Sequence, residues 1–77
     1  MNNYKLQSIL FPKNKFTYEQ ATQFLSNHKF KNKGVDEKEN FYRFRQLSTD
    51  YLKRLGYTNY KTKVLNNGIE LIIAYND

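Results

Sequence analysis

Seventy-seven residues leave room for one small domain, spanning 1–77, and not for two. Thirteen Lys and Arg face seven Asp and Glu, a formal charge of +6, and Phe and Tyr supply 17% of the chain. That aromatic share excludes a disordered basic tail, and the lack of cysteine excludes a disulfide scaffold or a Cys-ligated zinc site. No apolar run nears the ~18 residues of a membrane span. The start, Met-Asn-Asn-Tyr-Lys, has no apolar signal core. A soluble, intracellular basic domain is expected.

The charge has two readings. Lys and Asn supply ten residues each, and with Tyr, Phe and Ile they make 37 of the 77. All five have A/T-rich codons, so nucleotide bias alone would enrich Lys. The charge is nevertheless blocked. Residues 1–33 carry six Lys against Glu19, residues 34–40 are acidic through Asp36, Glu37 and Glu39, and 41–63 turn basic again.

In chain order, Tyr4–Phe11 reads as a strand that Pro12 stops. Its facing is ambiguous, with Tyr4, Leu6 and Leu10 on one side and Ile9 and Phe11 on the other. Thr17–His28 is the clearest helix. Thr17 and Gln20 form a T-x-x-Q capping box, Phe16 and Ala21 have staple spacing, and Ala21, Phe24, Leu25 and His28 make one buried stripe. Lys31–Gly34 is a turn, and the acidic stretch after it is expected as loop.

Asn40–Gln46 is a strand of strict alternation. Tyr42 and Phe44 should face the core, because burying Arg43 and Arg45 unpaired costs more than exposing Phe41. Leu47–Gly56 reads as a short helix capped by Ser48. A C-terminal hairpin, Tyr60–Asn66 and Ile69–Tyr75, turns at Asn67-Gly68. A two-residue loop pairs Val64 with Leu71, Thr62 with Ile73 and Tyr60 with Tyr75, keeping Lys61 and Lys63 off the face of Ile69, Leu71 and Ile73. The expected fold is an α+β two-layer sandwich of order β-α-β-α-β-β. Its sheet has about four strands, antiparallel or mixed, and helix 17–28 covers one face.

Catalytic patterns are missing. His28 is the sole histidine, no serine or threonine is marked as activated, and the three glycines form no phosphate-binding loop. No enzyme activity, cofactor, metal or small-molecule substrate is expected. Asp36, Glu37 and Glu39 lack EF-hand spacing and read as a solvated acidic loop. The basic surface is the stronger signal. If the strands share a sheet, Phe41, Arg43, Arg45, Lys61 and Lys63 would cover its open face, binding phosphate through the cations and stacking a base on the Phe. The comparison with RNA-recognition motifs is weak, since NFYRFRQ lacks their glycines.

Several segments together resemble a known family: Leu10-Phe11-Pro12, Thr17-x-x-Gln-Ala21, Phe24-Leu25-x-x-His28, Val35-Asp36-Glu37-x-Glu39-Asn40-x-Tyr42-Arg43-Phe44-Arg45-Gln46 and Asn67-Gly68-Ile69-x-Leu71. The resemblance is to a small domain of large DNA viruses and phages, most to its stand-alone version in Marseillevirus-type giant viruses. Residues 47–60 depart from it by being more helical. The family has no assigned activity, so the resemblance implies a setting: a viral accessory or virion protein, in host cytoplasm or nucleus during infection or packaged in the particle. Within the motif, Glu39 and Arg43 are placed for a local ion pair.

Three classes of function compete. A non-catalytic nucleic-acid-binding module fits the charge and the aromatics. A protein–protein module or homodimeric virion component fits a half-open sheet. Binding to an anionic membrane surface is weakened by the absence of a basic amphipathic helix.

Overall fold

The computed structural model describes residues 3–76. In chain order they form β1 (Asn3–Pro12), α1 (Tyr18–Asn27), β2 (Val35–Glu37), β3 (Phe41–Arg45), α2 (Thr49–Arg54), β4 (Asn59–Val64) and β5 (Glu70–Asn76). The class is α+β, with the expected element order and one insertion. The acidic stretch expected as loop pairs with β3 as β2, which makes five strands of the expected four. Val35 lies opposite Phe44 and packs on the core, while the carboxylates are partnered at the rim. Asp36 meets Lys38 at 3.2 Å and Glu37 meets Lys13 at 2.7 Å.

The sheet runs β2-β3-β1-β5-β4, with every pairing antiparallel. The long first strand is central, and a bulge at Gln7 sets its facing. Leu6 pairs with Ile73 and Ser8 with Ile72, so one residue is extra and the side-chain alternation changes phase there. Tyr4 and Leu6 thereby join Ile9 and Phe11 on one face. That phase change resolves the ambiguity in the strand's pattern.

Helix α1 covers this face. Thr17 accepts from the Gln20 N–H at 3.1 Å and Gln20 Oε1 accepts from the Thr17 N–H at 2.9 Å, the reciprocal capping box. Ala21 and Leu25 are fully buried against Ile9, Phe11, Phe44 and Ile69. Each large aliphatic side chain buried this way stabilises the fold by about 2 kcal/mol. Phe11 is the hub, meeting Phe16, Phe24 and Phe44 edge-on at 5.4–5.7 Å between ring centroids. His28, expected on the buried stripe, caps the helix end instead and is exposed. Its Nδ1 lies 2.9 Å from the Phe24 carbonyl and its ring stacks on Phe24 at 4.2 Å.

The smaller α2 starts at Ser48, whose hydroxyl accepts from the Tyr51 N–H. It lies against the opposite face. Leu52 and Ala74 are fully buried outside the main core, and Lys5, which pairs with Ala74, places its Nζ over the Tyr57 ring.

The hairpin register differs from the two-residue expectation. Lys63 lies opposite Leu71, Lys61 opposite Ile73 and Val64 opposite Glu70. The loop is Asn66-Asn67-Gly68, closed by the Gly68 N–H to the Leu65 carbonyl and the Leu65 N–H to the Ile69 carbonyl. Only Gly68 has a positive φ, +92°, whereas a type I′ turn requires Asn67 to have one as well. The slip turns Leu65 to the core face, beside the fully buried Ile69. Its cost, two lysines on the same face, is small because β4 is the sheet edge. Lys61 places its Nζ over the Tyr4 and Tyr75 rings, 4.5 Å and 5.6 Å from their centroids, and Lys63 is exposed.

Candidate functional site

The register decides which cations share a surface. Arg43 pairs with Leu10 and Arg45 with Ser8, so both arginines lie on the face away from α1, as the alternation of β3 predicts. Lys61 and Lys63 lie on the α1 face, and β1 and β5 stand between β3 and β4. Three inter-strand steps amount to about 14 Å. Phe41 shares the arginine face but sits beside Pro12, Lys13 and Asn40 at the far end of β3 from Arg45. The structure therefore brings Arg43 and Arg45 together and separates both from Lys61 and Lys63, while Phe41, two residues from Arg43 on the same face, lines a different cavity.

What surrounds the arginines is built by the bulge. It turns the Gln7 and Ser8 side chains to the same side, where both are buried. Arg43 Nε donates to Ser8 Oγ at 3.1 Å and Arg43 Nη2 donates to Gln7 Oε1 at 3.0 Å. Ser8 Oγ donates to the same Gln7 oxygen at 2.6 Å, and Gln7 Nε2 donates to the Leu47 carbonyl at 3.2 Å. The Gln7 carbonyl receives the Gln46 and Leu47 N–H groups. One irregular residue of β1 thus orients the guanidinium and anchors the chain entering α2.

This holds the half-buried Arg43 by neutral groups alone. Among the described residues no carboxylate lies within 4.0 Å of it. The expected Glu39–Arg43 pair does not form, because Ser8 and Gln7 already hold the guanidinium. Its Nη1 donors and one Nη2 hydrogen remain available. Asp36, opposite Arg43 on β2, is bound to Lys38.

A second device adds two lysines. The buried Gln46 amide pairs with the Lys31 backbone as a strand would: the Lys31 N–H donates to Oε1 and Nε2 donates to the Lys31 carbonyl, each at 2.9 Å. The connection between α1 and β2 is thereby tied to the end of β3. Lys31 and Lys33 come to line a cavity of about 530 Å³ with Arg43, Arg45 and Asp36. Arg45 and the two lysines are exposed, and their side chains make no ion pair or hydrogen bond among the described residues. Sequence reasoning treated Lys31-Asn-Lys-Gly as a turn and overlooked both lysines. The alternate spacing of Lys29, Lys31 and Lys33 was the available signal.

No family model, curated protein or solved structure matches this chain. The cavity must therefore be read from its chemistry. Four cations converge on a space with one carboxylate that is already neutralised, and one guanidinium is held in a fixed direction. That arrangement attracts an oxyanion and can grip it with forked hydrogen bonds. It holds no nucleophile paired with a base, and among the described residues no group of three His, Asp or Glu could hold a metal ion. No helix is long and apolar enough to cross a membrane among these residues.

Proposed function

We propose that this protein is a small, non-catalytic nucleic-acid-binding module that grips the phosphate backbone without reading sequence. The observation that carries the reading is the cavity of Lys31, Lys33, Arg43 and Arg45, in which the half-buried Arg43 has no carboxylate partner. Burying cationic charge without a counter-charge costs free energy, which an incoming phosphate offsets. Phosphate-directed binding of this kind releases counterions and so depends steeply on salt. On the resemblance of its VDEKENFYRFRQ segment, the module would act as a viral accessory or virion protein during infection.

Fluorescence anisotropy of labelled DNA and RNA at micromolar protein tests the reading. Binding should weaken as salt rises, with a log–log slope of about −0.7 to −0.9 per phosphate contact. Arg45→Glu should weaken binding and flatten that slope, whereas Lys63→Glu, on the opposite face, should change both far less. Absence of salt-dependent binding to either polymer overturns the proposal. So does flotation with anionic vesicles by a protein that ignores both polymers.

A further inference from the structure

A second cavity of about 420 Å³ adjoins the first and shares Lys31, Gln46 and Leu47 with it. Tyr4, Lys5, Leu6, Lys29 and Phe30 complete its lining, and it contains no carboxylate. The two cavities form one track at the end of the sheet where β1 begins and β3 ends. Six of the thirteen cations lie along it: Lys5, Lys29, Lys31, Lys33, Arg43 and Arg45. The net charge of the chain is therefore concentrated here.

Of the two aromatic residues on this track, Tyr4 and Phe30, the second follows a strained backbone. Helix α1 ends with the Phe30 N–H on the Leu25 carbonyl at 2.8 Å and the Lys29 N–H on the Ser26 carbonyl at 3.1 Å. This double closure requires a left-handed residue, usually glycine, just past the cap. Here the residue is Lys29, at φ +60°. Lysine in place of glycine costs stability but sets a cation directly beside Phe30. The Phe30 ring lies nearly parallel to His28, 11° apart with centroids at 6.4 Å, and the residue stays 38% exposed. An exposed, oriented ring flanked by cations is the pairing used to hold single strands. Every base has a face to stack, while the cations follow the backbone. A duplex keeps its bases stacked internally and can offer one only by paying for unstacking.

We infer that the track binds single-stranded nucleic acid in preference to duplex, with a phosphate on Arg43 and Arg45 and a base of the same strand stacked on Phe30. The inference rests on the phosphate-binding reading and adds the form of the polymer and the base site. Phe41, the stacking residue expected from sequence, lies at the wrong end of β3 for this role.

The chain contains no tryptophan, so Phe30→Trp installs a single reporter. It should be titrated with oligothymidylate and oligouridylate of about 12 nucleotides, within the site sizes of small single-strand binders, and with a duplex of equal length. Saturating single strand should quench the emission, and duplex should not. Quenching by the deoxy strand, the ribo strand or both supports the site and reads its response to the 2′-hydroxyl. Phe30→Ala, with its thermal unfolding checked against the parent, should weaken single-strand binding by roughly 5- to 100-fold and leave duplex binding unchanged. Unchanged tryptophan emission at saturation, or duplex bound as tightly as single strand, overturns the inference while leaving phosphate binding in place. Salt-independent behaviour or no binding to any of the polymers overturns both. Because Phe30→Trp keeps the ring, the result stands even if Phe30→Ala does not fold.

Discussion

At the scale of residues, Arg43 and Arg45 look equivalent in the sequence and are not. They alternate with Tyr42 and Phe44, and that period alone puts both on the face away from the core. Their partners were invisible, because Ser8 and Gln7 lie 35 and 36 positions away and reach Arg43 only through the bulge in β1. Arg43 is consequently part of the fold as well as of the cavity, while Arg45 belongs to the cavity alone. Arg43→Ala should destabilise by about 1–2 kcal/mol, since it strips partners from two buried polar side chains and removes a packed stem. Arg45→Ala should stay within about 0.5 kcal/mol of the parent. Urea midpoints at unchanged m-value check the pair, and equal losses would mean that the network around Arg43 is not structural.

At the scale of elements, α1 was legible almost residue by residue. Thr17, Gln20, Ala21 and Leu25 are local determinants, all within a few turns of one another. The hairpin was not. Asn67-Gly68 announces a turn in either register, and the choice between them rests on whether Leu65 finds a core, a long-range fact. Lys61 and Lys63 can share the face of Leu71 and Ile73 because β4 is the edge of the sheet. At an edge the Lys61 ammonium can lie over the Tyr4 and Tyr75 rings and Lys63 stays exposed to water. Cross-strand nuclear Overhauser contacts should therefore join Lys63 with Leu71 and Lys61 with Ile73. Contacts joining Val64 with Leu71 would instead restore the two-residue loop.

At the scale of the whole molecule, the open edges are β2, with three residues, and β4, with Lys61 and Lys63. A short edge and a lysine-bearing edge are the features that discourage strand pairing between copies. Light scattering should accordingly return a mass near 9.3 kDa over a wide range of protein concentration. A mass that rises with concentration would favour the competing homodimeric reading. By itself, the sequence determined the class, the capped helix, the outward facing of the arginines and the excess of positive charge, because each depends on neighbours or on a local period. Only the tertiary structure decided where that charge gathers. Strand facing has a period of two, so one extra residue at Gln7 and one more in the hairpin loop each reverse a set of side chains. Together with the Gln46 clamp on Lys31, they move the basic surface from Lys61 and Lys63 to Lys31 and Lys33.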